Sequence, residues 1–137
     1  MLLFFLKKYF NDHKSLVRPI TPLVCDIDNP KHYELFQGLD YKDGYKVLQK
    51  ELKNLGEHIP PLINSYMNLS PTMKVFGTAI NHGFGAVEET GILIAVDEIL
   101  EDKRMRYIES FAKENPWALE FRTGAHKVFY PDSSKQD

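Results

Sequence analysis

Between His58 and Val96 three patterns follow one another with almost no slack, and this stretch decides what the chain can fold into. Ile59-Pro60-Pro61-Leu62-Ile63-Asn64-Ser65-Tyr66-Met67 reads as a helix started by proline, since a proline in the first turn gives up only an amide that would be unpaired anyway. Ser70-Pro71 ends it. Lys74 to Asn81 then alternates as a half-buried strand, in which Gly77 and Ala79 thin one face and suit close approach of another backbone or of an elongated ligand. Gly83-Phe84-Gly85 marks a turn. Thr90 to Val96 is apolar throughout, which predicts a central strand covered on both faces. Asn64, Ser65, Tyr66, Asn81, Glu88 and Glu89 interrupt the apolar pattern, so chemistry is most economically placed there.

The rest of the chain supplies helices. Met1 to Phe10 has helical spacing, with Leu2, Leu3, Phe5, Leu6, Tyr9 and Phe10 on one broad face and Phe4 in the middle of the opposite one. Two readings stay open: a helix docked on the chain's own sheet with one exposed Phe, or an interior helix whose partner belongs to a larger fold. His13 to Pro30 reads as irregular, with prolines at 19, 22 and 30 that forbid helix, and Asp26-Ile27-Asp28-Asn29 as an Asx-type turn. Asp40 to Leu55 is amphipathic, with Asp40 as N-cap and Gly56 just past the end; its lysines suit solvent or an acidic protein partner. Asp97 is expected to cap another helix that Asn115-Pro116 stops, and Lys127 to Tyr130 to form a short strand. The fold class is therefore α+β, a small antiparallel sheet with three to four helices.

At 137 residues the chain reads as one domain over residues 1–130 with a disordered tail at 131–137; a protein of this size buries roughly two thirds of its unfolded surface. The net charge of −2 carries no footprint for nucleic acid, and none is expected as a partner. The single cysteine, Cys25, cannot close an internal disulfide, which suits a cytoplasmic protein. The opening Met1 to Leu6 run is too short for a targeting segment and its charges follow it. No run approaches the roughly 18–20 apolar residues of a membrane span, although peripheral membrane contact stays open. The histidines never pair at metal-ligand spacing.

From Ile59 to Leu69 the chain resembles the carboxy-terminal part of the GNAT-like N-acyltransferases that make amino-acid lipids, a family that also goes under the name hemolysin. The resemblance continues through Gly77 to Asn81, Phe84, Glu88-Glu89 and Ile92 to Val96, ending near Arg106-Tyr107. Ser70 to Asn81 followed by Val87-Glu88-Glu89-Thr90-Gly91 is most similar to the branch implied in glycine-lipid synthesis. The family's acyl-carrier motif lies upstream, and no residues here match it. The chain thus looks like the second half of an acyltransferase, with a partial GNAT-like fold and no activity alone.

The resemblance implies transfer of a fatty or 3-hydroxyfatty acyl group from acyl carrier protein to the amine of a small amino acid such as glycine or ornithine. The phosphopantetheine thioester is donor substrate, and no bound cofactor is expected. The amine must lose a proton before it attacks, and a carboxylate partly withdrawn from water suits that task. Glu88 and Glu89 are the candidate bases, of which alternation lets only one face a cleft. Tyr66 or Tyr9 would protonate the leaving thiolate, and Asn64, Asn81 and Tyr9 would bind substrate. Each has a plainer role beside it: the glutamates as solvated turn residues, Asn81 as a strand-end hydrogen bonder, the tyrosines as core with a wet hydroxyl. A different class also stands, a non-catalytic binding module that forms a homodimer or docks a protein partner.

Overall fold

The computed structural model describes residues 1–24 and 27–115. The strand expected at 127–130 and the tail at 131–137 lie outside the described residues. The chain divides into two compact units, Met1–Leu100 and Glu101–Asp137.

In the first unit α1 (Leu2–Phe10) is the central element. Phe4, Phe5, Leu6 and Phe10 are all buried, and Lys7 and Lys8 occupy the last turn, where cations favour the helix dipole. Phe5 is fully enclosed by the rings of Tyr9, Phe36, Tyr41 and Tyr45. Burial of such a ring stabilises by about 1.5–3 kcal/mol.

The first correction concerns Phe4, which matches neither open reading of α1: it is buried, and by this chain's own residues. Its cover is α2 (Pro30–Phe36), a helix that begins at the last residue of the stretch expected to be irregular and runs over residues for which no element was expected. Pro30 starts α2 instead of forbidding it, because Asn29 caps the helix by accepting from the Lys31 amide at 3.0 Å and the proline amide is not missed. The rings of Tyr33, His32 and Phe36 then close over Phe4, the first edge-on at 4.9 Å.

α3 (Tyr41–Asn54) has the expected ends: Asp40 accepts from the Asp43 amide at 2.8 Å, and Gly56 takes φ +74° just beyond. It buries Gly44, Leu48 and Leu52. At Gly44 a Cβ would lie 2.3 Å from the Tyr9 hydroxyl, so α3 approaches α1 as closely as only glycine allows. α4 (Pro61–Met67) starts at the second proline and buries Met67.

The sheet is an antiparallel hairpin of β1 (Lys74–Asn81) and β2 (Val87–Leu93), joined through a short 3-10 turn and the left-handed residues Gly85 and Ala86. Pairing runs from Lys74↔Leu93 and Val75↔Ile92 to Thr78↔Thr90 and Asn81↔Val87, with a bulge between Val75 and Thr78. The bulge absorbs one residue, so that Val75 and Thr78 point to the same side despite their odd separation. The bulge residue Gly77 lies against Pro19, whose ring carbons would be 2.8 Å from an added Cβ. The close approach expected at Gly77 is thus made by the chain's own Pro19, while Gly77 itself stays exposed. Leu23 and Ile80 donate to Thr78 and Thr21 carbonyls and line residues 21–23 along the free side of β1.

The second correction is the position of β2. The strand runs over Val87–Leu93 rather than Thr90 to Val96, with one hydrogen-bonded neighbour among the described residues and with Val87 and Leu93 exposed. Pairing begins as soon as the turn closes, which draws Glu88 and Glu89 into the strand. Val96–Glu98 is a 3-10 turn, and Glu98 is tied to the Thr72 hydroxyl.

The second unit is helical from Glu101 to Glu114, later than the expected start at Asp97, and contains a π turn at Met105–Glu109. Arg104 pairs with Glu101 at 2.6 Å and Glu109 at 3.6 Å across it. Among the described residues no helix is long and apolar enough to cross a membrane.

Candidate functional site

The hairpin places three of the candidate residues. Along β2, Val87, Glu89 and Gly91 share one face and Glu88, Thr90 and Ile92 the other, with Ile92 packed on the core. Asn81 faces the same side as Glu89 and donates from Nδ2 to its Oε1 at 3.0 Å. Glu89 is thus an exposed carboxylate held by one amide. Glu88, opposite Ile80, is exposed on the other face. Thr78 and Thr90 bridge that face at 2.8 Å and pin the register.

Asn64 lies elsewhere, at the contact of α3 with α4. Its Oδ1 accepts from the Tyr45 hydroxyl at 2.6 Å and from Asn68 Nδ2 at 3.3 Å, and Gln49 donates to the Tyr45 oxygen. A polar cleft of about 320 Å³ opens there, lined by Lys53, Glu57 and His58. Tyr66 is partly buried against the apolar core. Tyr9 donates its hydroxyl to the Leu39 carbonyl at 3.0 Å; burial and the nearby Asp40 carboxylate raise its pKa above the ordinary tyrosine value. Only Asn81 and Glu89 are joined by a hydrogen bond among the six expected residues.

Two buried polar side chains were not singled out from the sequence. Asp12, 7% exposed, follows α1 and accepts from the amides of Lys14, at 3.2 Å, and Leu16. These bonds fold residues 12–16 into a turn with Ser15 at φ +50°. The signal was Asn11-Asp12 directly after an apolar helix, an Asx-turn pair that was passed over. Ser70, 1% exposed, bonds the Thr72 hydroxyl at 2.9 Å and accepts from the Thr72 amide at 3.1 Å, and Thr72 in turn donates to Glu98. This chain of hydroxyls fastens the end of α4 to the turn after β2. Beside β1, a cavity of about 300 Å³ lies between α1 and residues 11–23, with Asp12 and Arg18 in its wall.

No family model matches the sequence, and no solved structure does. Two curated proteins match nearly all of it. The chain is 55% identical over 128 residues, 93% of its length, to a glycine N(alpha)-acyltransferase of Phocaeicola vulgatus. It is 53% identical over 131 residues, 96% of its length, to a glycine N(alpha)-acyltransferase of Bacteroides thetaiotaomicron. The chain spans 39% of the length of each. By this likeness the chain is similar to a carboxy-terminal stretch of the amino-acid-lipid N-acyltransferases.

Proposed function

We propose that this chain forms part of an N-acyltransferase that moves a fatty or 3-hydroxyfatty acyl group from acyl carrier protein to the amine of glycine. The observation that supports it is the 53–55% identity, over nearly the whole chain, to proteins named for glycine acylation. In this reading the glycine nitrogen attacks the thioester carbonyl, the N–C bond forms, the C–S bond breaks and the pantetheine thiolate leaves. The ammonium must first become an amine, and Glu89 takes that proton while Asn81 holds the carboxylate in place. The nitrogen sheds a second proton as the amide forms, and that proton passes to the departing thiolate. The phosphopantetheine arm enters as substrate, and the exposed Lys42, Lys46, Lys50 and Lys53 on α3 suit the acidic surface of a carrier protein.

The test uses a chimera in which this chain replaces the matching stretch of the Bacteroides thetaiotaomicron relative, with N-acylglycine measured by mass spectrometry. Glu89→Gln is expected to lower kcat/KM about 100-fold or more, the scale of a lost general base, and Glu88→Gln by less than about threefold. Equal activity of wild type and Glu89→Gln would remove Glu89 from the chemistry.

A second reading, a non-catalytic module that pairs with itself, is favoured by β2, whose exposed Val87 and Leu93 flank a strand paired on one side among the described residues. A stable dimer by light scattering, with no transfer by the chimera, would select it.

A further inference from the structure

The cavity beside β1 has a lopsided chemistry. Val17, Pro19, Leu23, Val75 and Phe76 make most of its wall apolar, and the polar groups among them are nearly all engaged. Lys7 pairs with Asp28 at 2.9 Å, Asp12 is bonded to two backbone amides, and Thr78 is bonded to Thr90. Arg18 is different: among the described residues its guanidinium has no hydrogen bond or ion pair, and it is exposed at the cavity wall. A guanidinium presents a planar fork of donors that matches a carboxylate. The space is about 300 Å³.

We infer that this cavity binds an aliphatic chain ending in a carboxylate, with the chain against the apolar wall and the carboxylate on Arg18. The inference rests on the acyl-transfer reading for its natural ligand, since an N-acyl amino acid, the product of that reaction, has this shape: an apolar chain joined to one free carboxylate. The site would retain product through its carboxylate and would not distinguish it by charge from a free fatty acid of similar length. Asp12 is the opposing charge in the wall; with both oxygens turned to the Lys14 and Leu16 amides, it faces the backbone of its own turn.

The test needs no turnover, so it fails or succeeds apart from the transfer reaction. Decanoate, N-octanoylglycine and the methyl ester of decanoic acid are titrated, below micelle formation, into the 137-residue chain and into the chimera, with heat and amide chemical shifts as readouts. Saturable binding of both carboxylates, with shifts at Val75 and Thr78, is expected. Arg18→Gln should weaken both about tenfold or more and leave the ester unchanged, Arg18→Lys should recover part of the loss, and Val17→Glu should repel the carboxylates alone. All three changes are at exposed positions, and an unchanged far-ultraviolet spectrum establishes that the fold is kept. Absence of saturable binding, or an Arg18→Gln effect equal for acid and ester, overturns the inference. Binding of decanoate but not of N-octanoylglycine would overturn the product assignment.

Discussion

Single side chains fix the close approaches in this molecule, and Gly77 shows how. Pro19 sits where its side chain would go, so Gly77→Ala forces the ring or the bulge to shift and should destabilise by about 1–3 kcal/mol in urea unfolding. Pro19→Ala beside it should recover much of that loss, because the two positions share one contact. Tyr9 gives a pH-dependent case. Its pKa is raised above 10.0 by burial and by Asp40, so the folded state holds the phenolic proton more tightly than the unfolded chain. That contribution is complete below about pH 10 and is lost as pH rises through the folded value. Tyr9→Phe should therefore flatten the alkaline fall in stability relative to wild type, while the similarly raised Tyr41 still titrates in both proteins. An unchanged alkaline slope in urea midpoints would show that Tyr9 titrates alike in both states. At this scale the sequence was a good guide to Asp40 and Gly56, whose types are fitted to helix ends, and a poor one to Asp12 and Arg18, whose significance arises only when a loop folds back on β1.

Elements were legible where their own residues decide them. The period of α3, the proline start of α4 and the alternation of β1 are local properties, and the observed bounds lie within a residue or two of those expected. The proline at position 30 misled because its effect depends on the cap before it: the same ring that breaks a helix interior starts α2 when Asn29 accepts the first free amide. The greasiness of α1 was then misjudged on the face that α2 covers. Phe4→Ala should cost about 3–5 kcal/mol, and Phe36→Ala a similar amount, with the double change less than additive because the rings stack at 5.8 Å. Full additivity in chemical unfolding would mean that α1 and α2 are not packed as described. The two adjacent glutamates were separable in principle, since alternation puts them on opposite faces; which one meets Asn81 needed the hairpin register.

The molecule as a whole combines a first unit with a well-formed aromatic core and a hairpin whose outer strand has one partner among the described residues. Apolar pattern alone assigned the last strand to a sheet interior, and its exposure in the structure shows that composition reports how a strand is suited to be buried, not whether this chain buries it. The functional account has the same shape: identity of 53–55% links the chain to glycine N(alpha)-acyltransferases over 39% of their length, and acyl transfer is a property proposed for a protein of that larger extent. The most direct test is the chimera itself, supplied with an acyl-acyl carrier protein and isotopically labelled glycine and read by mass spectrometry. The account predicts labelled N-acylglycine at a rate within about tenfold of the unaltered relative, a difference of about 1.4 kcal/mol in barrier. A folded chimera that makes no labelled product would contradict it.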